Sequence, residues 1–260
     1  MSPTVQDEGD FPMSITNLTN LEVFFFFNEV DKINLWQHPE SISRLTKLRV
    51  KVLTTCIATS IGNMTSLVDF ELSGNFLSGQ IPKVLGLLKD LEQLELYYNQ
   101  HLSGTIPAEL GKLRDMDIRN SKPPWLPHVY IIDLADNDFT GTFPRSIENA
   151  RNLSELFLQN SKMSGFLPPE ISRAVNLVKI DLSNNLLSGS IPSEIGNLKN
   201  LNLLLLQYNK LGSSVPSSLS LLKSLNVLDL SNDRLTGKIP ESLCELLLSS
   251  INFLDQSRFQ

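Results

Sequence analysis

Apolar residues recur along this chain with a period of two dozen. From Leu153 the pattern restarts at Leu177, Leu201 and Leu225, each 24 residues after the last. Every unit opens with apolar side chains at positions 1, 4 and 6, as in Leu177, Ile180 and Leu182 or Leu225, Leu228 and Leu230. Positions 3, 5 and 7 alternate with these, which is the period of two of a strand buried on one face. Position 9 is asparagine in Asn185 and Asn209, position 11 is apolar, and an apolar-proline pair follows at 15 and 16. Ile191-Pro192, Val215-Pro216 and Ile239-Pro240 fill that slot, and the stretches from Leu67 to Asp90 and from Val129 to Asn152 obey the same template. Self-similarity at such a period predicts a solenoid: one strand per coil, with the coils stacked.

Elementary chemistry assigns the remaining positions. Asparagine at 9 stands where the chain turns away from the strand, and its amide is suited to satisfy backbone groups between coils. Gly79, Gly104, Gly141, Gly165, Gly189 and Gly237 recur where the turn needs a conformation that a side chain resists. Proline at 16 fixes φ and favours an extended return, and later apolar residues such as Ile195 and Leu198 point back into the core. One coil buries too little to offset the ordering of its own backbone, so stability belongs to the stack.

The spacing is not uniform. Candidate starts are Leu21, Leu48, Leu67, Leu91, Leu113, Val129, Leu153, Leu177, Leu201, Leu225 and Leu248, with intervals of 27, 19, 24, 22, 16, 24, 24, 24, 24 and 23 residues. The 16-residue interval contains the turn-rich run Asn120-Ser121-Lys122-Pro123-Pro124-Trp125, and distorted stacking is expected over residues 119–128. The chain therefore divides into a disordered or incomplete segment 1–20, a first block of repeats 21–119, a short irregular junction 120–128 and a second, uncapped block 129–260.

The repeat L-x-x-L-x-L-x-x-N-x-L-x-G-x-I-P resembles that of plant leucine-rich-repeat receptor-like kinases. The stretches SIGNMTSLVDFELSGNFLSGQIP, LEQLELYYNQHLSGTIP and NLVKIDLSNNLLSGSIPSEIGNLKNLN are similar to the branch that includes receptors for C-terminally encoded peptides. The likeness runs from about Phe11 onward, apart from the junction, so the chain looks like a truncated, internally deleted ectodomain. It implies a right-handed superhelix of about ten repeats, with short parallel strands and 3₁₀ or extended returns. It also implies a parent receptor of the plasma membrane that binds a secreted peptide outside the cell, with a co-receptor ectodomain as a possible second partner, and carries a serine/threonine kinase inside. Related receptors read a peptide's terminal carboxylate with an Arg-x-Arg pair. No two arginines here are two residues apart, so no carboxylate-binding residue is carried over.

On such a solenoid, positions 3, 5 and 7 line the concave face, the usual ligand surface. Position 5 supplies Phe25, Glu71, Glu95, Asp117, Asp133, Phe157 and Asp181; position 3 supplies Glu155 and Lys179. Position 7 supplies Phe27, Tyr97, Gln159 and Gln207, with Tyr98 beside them. Acidic residues dominate position 5, which favours a cationic or neutral peptide; the alternative is that aspartate there only solvates the sheet. Phe25 and Phe27 either face outward as contact anchors or are buried by irregular packing of the first coil. Leu203 and Leu205 add a small apolar strip.

Composition narrows the classes. A formal net charge of −6 and a pI near 5.1 disfavour nucleic-acid and anionic-membrane binding. No signal peptide or membrane-spanning run is visible in the chain. Cys56 and Cys244 lie about eight rungs, or ~40 Å, apart, too far for a disulfide, so both are expected as thiols. Asn17, Asn63 and Asn152 open N-x-S/T sequons, candidate glycosylation sites on a secreted chain. His38, His101 and His128 show no metal-ligand spacing, and no nucleophile or nucleotide motif appears. Neither cofactor nor catalysis is expected. A soluble inhibitor of secreted wall-degrading enzymes, or a nonfunctional gene fragment, would share the same repeat.

Overall fold

A computed structural model of the chain describes residues 24–25, 48–51, 56–57, 59–63, 67–113, 130–246 and 250–252. Among these, ten short strands stack in parallel in chain order. They are Phe24–Phe25, Leu48–Lys51, Asp69–Glu71, Gln93–Glu95, Tyr130–Asp133, Leu153–Phe157, Lys179–Asp181, Leu203–Leu205, Val227–Asp229 and Ser250–Asn252. The register is that of the repeat, so Phe70, Leu94, Ile132, Leu156, Ile180, Leu204 and Leu228 form one buried column at position 4.

Position 9 acts as the alternation suggests. The Asn99 amide donates to the Leu72 carbonyl one coil back at 3.0 Å and to Leu96 in its own coil at 2.9 Å, while its oxygen accepts the Leu77 N–H at 3.1 Å. Asn185 and Asn209 repeat the arrangement. Each buried amide thus pairs backbone groups that two successive strands leave over at their ends.

After that turn the sequence pattern gave no warning of a second parallel sheet. It comprises Ser78–Gly79, Asn99–Gly104, Asn137–Thr142, Lys162–Phe166, Leu186–Gly189, Lys210–Ser213 and Arg234–Leu235. These segments have at most one buried apolar side chain each, too few for a visible alternation, and they pair because stacking brings their backbones together. Glycine at position 13, with φ of 76–83° in the coils that have it, then reverses the chain toward proline. Each proline caps a five-residue 3₁₀ helix, as Pro192 does for Ser193–Asn197, and accepts the N–H three residues on. Adjacent 3₁₀ helices stack on the side opposite the ten-stranded sheet, and the leucines between the layers are almost wholly buried.

Two of the candidate starts move. Leu48 pairs with Phe70, a position-4 residue, so Leu48 is itself at position 4 and position 1 falls on Leu45. The motif Leu-x-x-Leu reads equally well in two phases, and only pairing with the neighbour selects one. Leu113 does not open a coil either. It closes the coil begun at Leu91: it follows the 3₁₀ helix Ala108–Lys112, and its N–H bonds to the Leu110 carbonyl at 3.2 Å, as Leu198 does to Ile195. An extra residue in this coil, marked by a register shift between Asn99 and Ser103, displaced the apparent spacing.

The stacking disturbance expected over residues 119–128 falls outside the described residues, but the coils on either side of that segment pair with one another. Gln93–Glu95 pairs directly with Ile131–Asp133, and the Asn137 amide donates to Leu96 at 2.9 Å. The 3₁₀ helix Ala108–Lys112 lies against Arg145–Asn149, with Ser146 Oγ donating to the Ala108 carbonyl at 2.6 Å. Residues 114–129 lie outside the described residues; the strands Gln93–Glu95 and Tyr130–Asp133 on either side of them are direct neighbours in the sheet. The one mark on the far side is a register shift at Tyr130, whose ring is buried at position 2.

Candidate ligand-binding face

The ten-stranded sheet presents its odd positions to solvent in columns. At position 5, Glu71, Glu95, Asp133, Phe157, Asp181, Leu205 and Asp229 lie in register on successive rungs. At position 3 the column reads Asp69, Gln93, Ile131, Glu155, Lys179, Leu203 and Val227. Tyr97, Gln159 and Gln207 stand at position 7. The candidates Glu71, Glu95, Asp133, Glu155, Phe157, Lys179 and Asp181 are thus brought onto one continuous, half-exposed surface. Phe25 lies in the first strand but pairs with Lys51, two residues beyond Arg49 of the position-5 column, so this rung is offset by two from the register of the others and Phe25 does not join that column as the repeat count predicted. Phe27, Asp117 and Asn17 fall outside the described residues.

Several of the aspartates have a local task as well. Asp133, Asp181 and Asp229 each accept the N–H two residues on, from Ala135 at 3.1 Å, Ser183 at 2.9 Å and Ser231 at 2.9 Å. These bonds hold the chain as it leaves the strand, so aspartate before the position-6 leucine is partly a turn-former. Lys179 pairs with Glu155 across two rungs at 2.9 Å.

The face is electronegative. Among the described residues of positions 3, 5, 7 and 8 there are eight carboxylates, Asp69, Glu71, Glu95, Asp133, Asp136, Glu155, Asp181 and Asp229, against three cations, Arg49, Lys51 and Lys179. Burial raises the Asp133 acid to about 6; the Ala135 N–H opposes this, and Glu95, Asp136 and Asp181 reinforce it. The Tyr97 hydroxyl is likewise pushed up, by burial first and then by Glu95, Glu71 and Asp133. Asp181 moves in the same direction through burial, against its two bonds from Ser183. Further along, Leu203, Leu205 and Val227 form the half-exposed apolar strip.

Three features escaped the sequence reading. Position 8 is left-handed in every described coil: Gly74, Tyr98, Asp136, Asn160, Asn184, Tyr208 and Asn232 have φ of 52–66°. Glycine, asparagine and aspartate tolerate this conformation, whereas a tyrosine is strained by it. Tyr98 and Tyr208, 56% and 55% exposed, therefore stand at the rim of the face rather than beside position 7. The signal was the recurrence of Asn, Asp and Gly at one repeat position. Second, the phase of Leu48 puts Arg49 at position 5, opposite Glu71, and Lys51 at position 7. Third, the Oε1 atoms of Gln159 and Gln207 are buried and make no hydrogen bond among the described residues.

Asn152 is half-buried just before the strand Leu153–Phe157, and Asn63 ends the 3₁₀ helix Thr59–Asn63. Cys56 is an exposed free thiol. No group of His, Cys, Asp and Glu among the described residues is arranged to hold a metal ion, and no helix there is long and apolar enough to cross a membrane.

Comparison with known proteins agrees with this architecture. The Leucine Rich Repeat family model matches residues 176–198 and 224–246. Over 49 residues, 19% of this chain and 5% of the relative, the sequence is 51% identical to Receptor protein-tyrosine kinase CEPR1 of Arabidopsis thaliana. The plant peptide hormone receptor RGFR1, solved in complex with RGF2, superimposes with a TM-score of 0.74 at 30% identity, covering 94% of this chain and 42% of that one. The Arabidopsis receptor kinase HAESA, solved with the peptide hormone IDA and the co-receptor SERK1, gives 0.60 at 30% identity, over 85% of this chain and 40% of that one. The chain spans a twentieth of the curated relative and about two fifths of these two solved chains.

Proposed function

We propose that this chain, a leucine-rich-repeat solenoid similar to plant receptor ectodomains, binds a secreted peptide along the ten-stranded sheet. It would do so as part of the extracellular portion of a receptor-like kinase in peptide-hormone signalling, at the outer side of the plasma membrane. The observation that carries this reading is the set of columns at positions 3, 5 and 7. They form one uninterrupted surface of mixed acidic, aromatic, amide and apolar side chains, from Asp69 to Asp229, on a rigid ladder of strands.

A second ectodomain as co-receptor is the partner expected at the rim, where Tyr98 and Tyr208 project. Carbohydrate at Asn17, Asn63 and Asn152 belongs to the same reading, since an extracellular chain would pass the glycosylation machinery.

The test is direct titration of the purified chain with a panel of synthetic plant signalling peptides, followed by calorimetry. Saturable one-to-one binding, weakened by Glu95→Gln or Phe157→Ala, is the expected result. Absence of binding by any peptide up to about a millimolar would remove the ligand-binding role.

A further inference from the structure

The sheet face changes character along the stack. Glu71, Glu95 and Asp133 occupy consecutive rungs of the position-5 column. Every charged neighbour that acts on Asp133 is another carboxylate, and the same holds for those acting on Tyr97 between them. Tyr97, 37% exposed, sets an aromatic face beside this acidic group, an arrangement that attracts ammonium and guanidinium groups twice over. Four rungs beyond Glu95 the column reaches Leu205, with Leu203 on the same strand and Val227 on the next. Between the two ends the Glu155–Lys179 pair neutralises itself around Phe157.

Resting on the peptide-binding reading, we propose that the ligand is an extended peptide with two anchors about six residues apart. One is a cationic side chain seated over Glu95, Asp133 and Tyr97; the other is an apolar side chain seated on Leu203, Leu205 and Val227. The spacing follows from the ladder. Four rungs at ~4.8 Å span ~19 Å, and an extended chain advances ~3.3 Å per residue. The apolar anchor also gives a use to leucine side chains that stand half-exposed at residues 203 and 205.

The test uses the full chain and twelve-residue peptides of otherwise neutral, small composition. One set carries Arg and Leu six residues apart, in both orders; a second carries them two apart; a third replaces Arg by Glu at the six-residue spacing. Binding is read by fluorescence anisotropy at low and at physiological salt. The six-spaced Arg/Leu peptide in its better order is expected to bind at least ten-fold tighter than the others and to weaken as salt rises. That preference should shrink several-fold with Glu95→Gln and with Leu205→Ser, two half-exposed positions whose variants are checked for an unchanged circular dichroism spectrum. Equal binding by all sets, no binding by any of them, or a preference that survives both substitutions overturns the two-anchor assignment. If the signalling-peptide panel binds nonetheless, only this assignment fails; if that panel is also silent, the peptide-binding reading falls with it.

Discussion

Where other coils carry Asn75, Asn99, Asn137, Asn185 and Asn209 at position 9, the coil begun at Leu225 carries Asp233. Its Oδ1 accepts the Leu211 N–H at 2.8 Å, as the amide oxygens do in their own coils. A carboxylate, however, has no hydrogen to give the carbonyls that asparagine serves there. Burial accordingly raises the acid to about 7, against the bonds from the Leu211 and Asn209 backbones and with help from Asp229. In the unfolded chain the group titrates near ~3.9, so between these values the folded state holds more protons than the unfolded one. The associated stability is complete below about pH 4 and is lost as pH rises through 7. Asp233→Asn is therefore expected to melt several degrees above the parent at pH 8 and close to it at pH 4, with a shallower fall between. Asp133 and Asp181, shifted the same way, keep part of the slope. Thermal melts followed by circular dichroism across that range decide it; parallel curves for the two proteins would contradict the account.

The unit that repeats is a strand, an asparagine turn, a short second strand, a glycine reversal and a proline-capped 3₁₀ helix. Its tightest requirement lies in the 3₁₀ layer. A Cβ added to Gly196 would sit 2.5 Å from the Ser218 carbonyl oxygen of the next coil, and Gly86 and Gly111 meet their neighbours in the same way. Backbone cannot yield as a side chain tip can, so any residue larger than glycine there must push two coils apart. Gly196→Ala is expected to cost at least ~2 kcal/mol, against a few tenths for an exposed substitution such as Lys223→Ala. Chemical denaturation of the two variants compares them. An alanine tolerated as well as the lysine change would show that the 3₁₀ layers are not in contact.

At the scale of the molecule the central fact is that stacking passes over residues 114–129. Strand, asparagine ladder and 3₁₀ helix of the coil begun at Leu91 each meet their counterparts in the coil begun at Val129. The flanking strands already pair directly, so removing the segment between them should leave the ladder whole. Deletion of residues 116–128 joins Asp115 to Val129 and restores a coil of ordinary length. The shortened chain is expected to fold with an unchanged circular dichroism spectrum and a melting temperature within a few degrees of the parent. Loss of cooperative melting would mean that the segment holds the two blocks together. This deletion also tests the signalling reading at large scale, because peptide affinity should persist if the described columns alone make the binding surface.

Much of this was written in the chain itself. Leucine at 1, 4 and 6, asparagine at 9, glycine at 13 and proline at 16 determined the coil, since each satisfies a local demand of burial, backbone pairing or dihedral angle that recurs unchanged. The sequence alone also placed Glu71, Glu95, Asp133, Phe157 and Asp181 in one column, because a strict period fixes which side chains share a face. Only tertiary structure decided the phase of Leu48, the closing position of Leu113, the second sheet and the left-handed tyrosines at 98 and 208. In each of these the selecting force is contact with the adjacent coil: a motif legible in two phases, a bulge of one residue or a backbone with little side-chain alternation acquires its meaning from the rung beside it.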